Sequence, residues 1–432
     1  MTEQPAPFSV ELRRRRVAAG WSLADLAGRV HYTKGYLSKI ENGVKPAGRD
    51  LARQCDAALG AGGALAALRP DRTAEPVLAG ADPPDSDEVW MIILAPDGSS
   101  RFVPMSRRQA LAVGAMSLLG LRSAARGLPA AADEKTTLTR FRSLFEQSRQ
   151  LGLTVSPSVV VPSVIAQTQT LRAVAGAARE PAREQLLRLA GRCAEYTGWM
   201  AQEAGDDHAA AWWTNTAVRL AAGGGDSELA VYALVRQADL RLHQEDGIQT
   251  IALAERAQQD RRVPARIRGL AAQREAQGHA LAGEYDRCRR ALDRAEDLLS
   301  QAANEDRTGP VLGSTSVSNG GALVTAWCLH DLGRPGEAAE LLDREVPRIP
   351  ASARRPAARF GARQALAHAA MGNIERACAV TDHVLDLAEQ VDSATVRLDL
   401  RRLSRTLARW QRRPQVGEVR GRLARAVHCA EW

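Results

Sequence analysis

Two short amphipathic segments near the start of the chain are separated by a tight turn. Ser22 is a good N-cap for the first segment, and the apolar residues that follow it at helical spacing are Leu23, Leu26, Ala27 and Val30. A turn at His31-Tyr32 follows. We therefore predict a short helix that buries its apolar face.

The second segment has an exposed face of small and basic residues. Thr33 can cap it, Asn42-Gly43 stops it, and its apolar stripe is Tyr36, Leu37 and Ile40. Its outward positions are Lys34, Gly35, Ser38, Lys39 and Asn42. Such a helix suits the DNA major groove, where lysine reaches phosphates or guanine edges and hydroxyl and amide groups bond phosphates or bases. The alternative is a helical hairpin that packs against another part of the protein.

Three runs carry a resemblance to a known family: LRRRRVAAG at 12–20, WSLADLA at 21–27 and YLSKIENG at 36–43. Over about residues 8–69 the chain resembles the lambda-repressor/Cro type of helix-turn-helix, also called the XRE family. The resemblance implies a five-helix DNA-binding domain at residues 1–69. The implied groove contacts are Lys34, Gly35, Ser38 and Lys39, with Thr33 and Asn42 nearer the DNA backbone. Leu23 stands where the family often has a Gln that touches that backbone.

A helix over residues 8–20 precedes these two segments. Its four consecutive arginines, Arg13 to Arg16, include at least two on the solvent face. Arg13 and Arg16 are candidate phosphate contacts, and an ordinary solvated face is the alternative.

Composition changes abruptly after residue 69. Residues 70–88 hold four prolines and six acidic residues, which predicts a flexible linker. Residues 90–94 and 101–103 flank a Pro-Asp-Gly turn and predict a small β-hairpin. Residues 106–121 resemble a twin-arginine export signal, but their apolar run is too short to span a membrane. A linking helix within residues 70–135 is the preferred interpretation.

From about residue 136 the chain becomes a series of amphipathic helices with repeated turns. Five glycines open similar turns at intervals of 36 to 50 residues: Gly205, Gly247, Gly283, Gly333 and Gly372. A small residue follows each glycine by five places: Ala210, Ala252, Cys288, Ala338 and Ala377. Another precedes four of them by seven places: Gly198, Ala276, Ala326 and Ala365, with Leu240 in the second unit. Small residues at these places allow helix pairs to pack closely.

These segments, over about residues 184–390, resemble degenerate tetratricopeptide repeats. The resemblance implies an all-α protein whose residues 136–432 form a TPR-like α-solenoid with a concave groove. An irregular helical bundle is the alternative. The implied groove positions are Arg192, Glu195, Trp199, Gln202, Gln237, Arg241, Gln244, Gln273, Gln277, Trp327, His330 and Arg359. Amides, arginines and two tryptophans on one surface suit an extended peptide.

Composition and charge agree with this organisation. Aromatic residues make up only 4% of the chain, so the cores must be rich in Ala, Leu and Val, which favours helices. The net charge of +8 permits nucleic-acid binding. Residues 1–69 carry eleven Lys or Arg against six Asp or Glu, and three of the four lysines lie in or beside the second segment: Lys34, Lys39 and Lys45. The six cysteines have no paired spacing, so we expect a cytoplasmic protein without a metal site or disulfide framework.

No catalytic, phosphate-cradling or metal-binding motif is recognised, so we expect a non-enzymatic protein without a cofactor. The domain order resembles the peptide-responsive RRNPP regulators. It predicts a sequence-specific transcription regulator that reads operator DNA as a homodimer and senses a ligand, with a peptide as the candidate. The alternatives are a repeat scaffold that recruits a partner protein to DNA and a DNA binder that responds to no signal.

Overall fold

The computed structural model describes residues 7–68, 88–94, 100–106, 134–305 and 311–428. The chain divides into two compact units, and each is described by itself. The first unit contains residues 1–73 together with residues 234–432, and the second unit contains residues 74–233. The N-terminal segment therefore belongs to the same unit as the C-terminal half of the chain.

Five helices form the N-terminal domain of the first unit: α1 (Phe8–Ala18), α2 (Leu23–Arg29), α3 (Lys34–Glu41), α4 (Arg49–Ala58) and α5 (Ala64–Ala67). One apolar core joins them, and its large members include Leu12, Leu26, Leu37, Ile40, Leu51 and Leu65. Asp56 closes the domain, because its buried carboxylate accepts hydrogen bonds from the backbone N–H groups of Gly63 and Leu65, each at 2.7 Å.

The second unit contains a pair of antiparallel strands, β1 (Glu88–Leu94) and β2 (Ser100–Ser106). Their register places Ile92 opposite Phe102 and Leu94 opposite Ser100. The strands include residues 90–94 and 101–103, where the sequence predicts a hairpin. The predicted linker at 70–87 and linking helix beyond residue 106 lie outside the described residues.

Helices make up the rest of the second unit: α6 (Glu134–Leu151), α7 (Pro157–Ala177), α8 (Ala182–Ala204), α9 (Asp207–Gly223) and the start of α10 (Ser227–His243). Neighbouring helices pack in sequence, α6 on α7, α7 on α8 and α8 on α9. Gly198 of α8 faces the backbone of α9, where an added Cβ would lie 3.1 Å from the carbonyl oxygen of Ala210. Small residues therefore set the distance between these helices.

The first unit continues with nine helices in its described residues: α11 (Gly247–Gln258), α12 (Ala265–Ala282), α13 (Tyr285–Ala303), α14 (Gly320–Asp331), α15 (Pro335–Glu345), α16 (Arg354–Ala370), α17 (Ile374–Val391), α18 (Ala394–Leu407) and α19 (Pro414–His428). Short 3-10 turns follow α15 and α18, at Val346–Arg348 and Ala408–Trp410. Most of these helices pack against the next one along the chain, and α12, α14, α16 and α17 also contact the helix two places further on. This pattern of local neighbours is typical of helical repeats.

The structure corrects the predicted turn in one repeat. Gly205, Gly283, Gly333 and Gly372 have positive φ, but Gly247 is the first residue of α11, and Glu245 takes the left-handed position with φ 60°. Counting from Glu245, the small residues seven before and five after are Ala238 and Thr250, both fully buried, whereas Ala252 is exposed. Leu240 is therefore not an exception to the pattern, because the glycine alignment was displaced by two residues.

Among the described residues, no helix combines the length and the apolar character needed to cross a bilayer.

Candidate nucleic-acid interface

Side-chain caps fix the two helices that the sequence singles out. The N–H of Asp25 donates to Ser22 Oγ at 3.1 Å, and the N–H of Ser22 donates to Asp25 Oδ2 at 2.8 Å, so α2 begins with a capping box. Thr33 Oγ1 accepts the N–H of Tyr36 at 3.2 Å and caps α3. His31, with φ 52°, turns the chain between the two helices. The start of α3 is therefore fixed by local chemistry.

The predicted groove and backbone contacts lie together along α3. Five of the six are exposed: Thr33, Lys34, Gly35, Lys39 and Asn42. Ser38 is half-buried, and its Oγ accepts a hydrogen bond from Asn42 Nδ2 at 3.4 Å. The opposite side of the helix is anchored by Leu37 and Ile40, which are buried in the domain core. This arrangement leaves the polar face of α3 open for a partner.

The charge distribution makes this face positive. The acidic residues of the domain are largely used inside it: Glu11 bonds to Arg14, Glu41 bonds to Arg16, and Asp25 and Asp56 cap helices. The Arg14 hydrogen bond lowers the pKa of Glu11 to about 2, against the opposing effect of burial. In the part of the chain that the structure describes, Lys34 and Lys39 have no carboxylate partner. Unpaired lysines on an open helix face are suited to phosphate oxygens.

The two arginines predicted to touch phosphate have different surroundings. Arg13 is exposed on α1. Arg16 is a structural tie, because its guanidinium donates to both carboxylate oxygens of Glu41, at 2.6 and 2.8 Å, and to the carbonyl oxygen of Trp21 at 2.7 Å. Arg16 thus connects α1 to the end of α3, and its contact with phosphate stays a prediction.

Another face of the N-terminal domain packs on the repeat helices of the first unit. Arg49 pairs with Glu245 at 2.6 Å, and Arg53 donates to the carbonyl oxygen of Leu281 at 2.7 Å. Arg53 also lies 3.7 Å from Asp331, and both side chains are buried. Arg402 of α18 shares Glu245, and together with Arg49 it lowers the pKa of that carboxyl against the opposing effect of burial. Helix α4 is therefore held by ion pairs to the turn after α10 and to the last residue of α14.

Glycines in the repeat turns allow the N-terminal domain and the repeat helices of the first unit to approach each other closely. A Cβ at Gly333 would lie 2.5 Å from the carbonyl oxygen of Arg53, and one at Gly283 would lie 3.0 Å from the Cβ of Ala66. A Cβ at Gly372 would lie 3.2 Å from His31 Nδ1. Three of the glycines that mark the repeats thus also form the surface on which the N-terminal domain rests.

The turn between α2 and α3 contacts the last repeat helices. The guanidinium of Arg409 lies 4.3 Å from the ring centroid of Tyr32, whose other neighbour is Tyr36 in a stacked pair at 5.6 Å. Burial, and then the charge of Arg409, lower the pKa of His31. Burial also raises the pKa of Tyr32. The turn that leads into α3 is therefore in direct contact with Arg409.

Within the first unit, the predicted groove positions are mostly packed or hydrogen-bonded. Gln273 and Gln277 are buried, Gln237 is half-buried, and Arg241 donates to Gln244 at 3.0 Å. Trp327 is buried, its Nε1 donates to Asp331 at 2.9 Å, and its ring lies beneath Arg359 and Arg363. Burial lowers the pKa of Arg363 to about 10 despite its pairing with Asp399. Gln273, Gln277 and Trp327 are therefore part of the protein's interior, and His330 is the predicted groove position that also lines an open cleft.

Four predicted groove positions belong to the second unit. Arg192 pairs with Asp226 at 2.7 Å, and Trp199 packs edge-on against Tyr196 with centroids 5.5 Å apart. Gln202 is buried and Glu195 is half-buried. No ligand contact is needed to account for the position of Arg192 or Trp199.

One group of side chains has metal-ligand chemistry. Glu255, Glu275 and His279 have ligand atoms within 4.8 Å of one another. However, Arg294 donates to both oxygens of Glu275 at 2.7 Å, and His279 bonds to Glu284 at 2.6 Å. Burial alone would raise the pKa of Glu275, but hydrogen bonds from His279, Arg294 and Gln258 lower it to about 2. The group is explained as an ion-pair cluster.

Sequence reasoning missed the docking residues. Arg49, Arg53, Glu245 and Arg409 lie far apart in the chain, and none belongs to a short motif. The one available signal was the row of turn glycines, which was interpreted only as a mark of the repeats.

Comparison with known proteins bears on the N-terminal domain. No curated protein and no solved structure matches the chain. Residues 7–68 match the family model described as a helix-turn-helix domain, a span that contains α1 to α5 with the capped α2–α3 pair. The N-terminal domain is therefore a helix-turn-helix DNA-binding domain.

Proposed function

We propose that the protein is a sequence-specific transcription regulator without enzymatic activity, in which α3 reads operator DNA. The repeat helices hold the helix-turn-helix domain, dimerise and sense a ligand. One observation carries this proposal. The N-terminal domain rests on the repeat turns through α4, α5 and the 31–32 turn, while the polar face of α3 stays exposed. The docked domain can therefore present its DNA-reading face and respond to the repeats.

Dimerisation follows from the geometry of DNA recognition. A single helix-turn-helix covers a half-site, and dimers bind two half-sites about one helical turn or a multiple of it apart. Because each helix-turn-helix domain is held by the repeat helices of its own chain, the pairing of the repeats would set the distance between the two helix-turn-helix domains. A ligand would regulate the protein by binding one arrangement of the pair more tightly than another.

The domain order resembles that of peptide-responsive regulators, so a peptide is the first candidate for the ligand. Several polar atoms at the groove positions of the first unit are used within the protein, such as Gln277 Oε1, which accepts from Arg274, and Trp327 Nε1, which donates to Asp331. A compact ligand therefore fits this unit better than an extended peptide.

The DNA-binding part is tested with a charge-matched pair of variants. Operator sites are first found by genome-wide mapping of bound DNA. Lys34→Ala/Lys39→Ala should weaken operator binding and reduce the salt slope by about two, because each phosphate contact contributes roughly 0.9. Arg289→Ala/Arg290→Ala removes the same charge from exposed positions on α13 and should leave both quantities unchanged.

Unchanged operator affinity in the lysine variant would show that α3 is not the reading helix. Dimerisation is tested separately by sedimentation of the full chain with and without a two-half-site operator. A single chain bound to that operator at saturation would contradict the proposed pairing.

A further inference from the structure

A cleft of about 990 Å³ lies between the N-terminal domain and the repeat helices of the first unit. One wall includes Tyr32, Thr33 and Tyr36, so the cleft reaches the turn before α3 and the first turn of that helix. The opposite wall comes from the ends of α14, α16 and α18 and includes Leu366 and Arg405. Small-molecule sites typically have about 300–1,000 Å³ and often lie between domains.

The wall of the cleft carries an excess of positive charge. Arg53 and Asp331 are both in the wall, but they lie 3.7 Å apart and offset each other. Arg405 is exposed and Arg409 is half-buried, and neither has a carboxylate partner among the described residues. Asp50 is the remaining acidic residue of the wall. Two guanidinium groups against one carboxylate favour an anionic ligand.

Three polar atoms of wall residues are buried and have no hydrogen-bond partner in the described structure: Gln54 Oε1, His330 Nδ1 and Arg409 Nη1. Buried polar atoms in native proteins nearly always have partners, so each such atom calls for an explanation. Arg409 Nη1 is a charged donor that no acceptor among the described residues satisfies. Leu366, Met371 and Trp410 add apolar surface to the same wall.

We infer that this cleft binds a small organic anion, an acidic group on an apolar body. Arg405 and Arg409 hold the acidic group, and the apolar body packs on Leu366, Met371 and Trp410. The inference rests on the proposed function in that this ligand supplies the regulatory signal. Because it touches both walls, it binds the docked arrangement more tightly than any arrangement in which the N-terminal domain has left the repeats.

The test is a titration of the full chain, without DNA, by ligand-observed NMR. The probes are benzoate and phenyl phosphate, with benzyl alcohol as the uncharged analogue and inorganic phosphate as the anion without an apolar body. At least one of the two organic anions should bind saturably, about tenfold more tightly than either control probe, since benzyl alcohol lacks the charge-assisted hydrogen bond and inorganic phosphate lacks the apolar contacts. The probe that binds distinguishes a carboxylate from a phosphate group. Saturation with it should also slow hydrogen exchange of residues 31–36 and 405–410 together.

Two variants on one helix locate the site. Arg405→Gln should weaken probe binding about tenfold, whereas Arg401→Gln, at an exposed position on α18 that does not line the cleft, should leave it unchanged. Failure of both organic anions to bind, equal binding of benzyl alcohol, or equal loss in the two variants would overturn the inference. A further result would also overturn the inference: Arg405→Gln lowers the salt slope of operator binding by about one and leaves probe binding unchanged. Arg405 would then be a DNA-backbone contact. None of these outcomes depends on the lysine variants, so the two proposals can fail separately.

Discussion

On α3, Lys34 and Lys39 extend from the domain and have no carboxylate partner among the residues that the structure describes, whereas on α4 Arg49 is paired with Glu245 and Arg53 lies buried beside Asp331. The two helices belong to one small domain and both carry basic side chains. Burial lowers the pKa of Arg53, with Asp331 opposing that effect, so this guanidinium is part of the protein's own packing. The difference teaches that positive charge alone does not mark a DNA contact. What distinguishes the two faces is whether the chain supplies the opposite charge itself.

The largest loss of docking should come from adding a side chain where a repeat turn contacts α4. Gly333→Ala places a Cβ 2.5 Å from the carbonyl oxygen of Arg53 at a residue with φ 78°. The clash should separate the domain from the repeats, in addition to the cost of about 1–2 kcal/mol for a left-handed alanine. Hydrogen exchange measured by mass spectrometry should show faster exchange in α4 and in the turn at residue 245 together.

Gly20→Ala is the matched control for backbone strain. Gly20 has φ 71°, but a Cβ there would meet no atom within 4 Å. This variant should lose stability without exposing α4. If Gly333→Ala left the exchange of α4 unchanged, the docked face would be looser than the structure indicates.

A smaller effect is expected from removing the charge that Arg49 and Arg402 share. Glu245→Gln leaves both arginines without this partner. The expected loss of docking free energy is about 1–2 kcal/mol, below the roughly 3–5 kcal/mol of a fully buried pair, because the Glu245 side chain is 39% exposed. This loss is measured by monitoring the hydrogen exchange of α4 as the urea concentration is raised.

Glu296→Gln removes the same charge from an exposed position on α13 and should leave docking unchanged. Equal destabilisation by the two substitutions would mean that net charge, and not the Glu245 contacts, is responsible. The difference between the exposed face of α3 and the docked face of α4 would then not come from the charge pairing of Glu245.

The smallest effect concerns pH. The docked structure lowers the pKa of His31 from its ordinary value of 6.5, through burial and then the charge of Arg409, so docking favours the neutral ring. The contribution of His31 to docking is therefore complete above pH 6.5 and is lost as the pH falls through the lowered pKa. Exchange of α4 measured between pH 7.5 and 5.5 should show weaker docking at the acidic end.

His31→Asn removes the titrating ring while keeping a residue that tolerates the positive φ of 52°. The variant should show no change in docking over this pH range. An unchanged pH dependence would assign the effect to another group.

Local features of the fold were predictable because their causes are local. The caps at Ser22 and Thr33 and the stop at Asn42-Gly43 depend on neighbouring residues, so the bounds of α2 and α3 could be inferred from the sequence. The turn at residue 245 was misplaced because glycine was taken as the mark of positive φ, and here a glutamate accepts that conformation. Glu245 is held there by Arg49 and Arg402, and no local pattern encodes such contacts.

The candidate site was only half predictable for the same reason. The exposed face of α3 follows from helical periodicity, and the residues expected to contact the DNA groove lie along this helix. The other half consists of contacts between residues hundreds of positions apart, such as Arg53 with Asp331 and Tyr32 with Arg409. The resemblance to tetratricopeptide repeats placed Trp327 and Arg359 in a concave groove but could not show that their side chains would pack against each other.

The contact between Tyr32 and Arg409 also has a consequence for timing during synthesis. The N-terminal domain ends near residue 68, and Arg409 is made about 340 residues later. At about 5–20 residues per second, the ribosome needs roughly 20–70 s to cover that distance. Until that interval ends, every newly made helix-turn-helix lacks its complete docking surface and is free to meet DNA before the whole of the part proposed to control it has been translated.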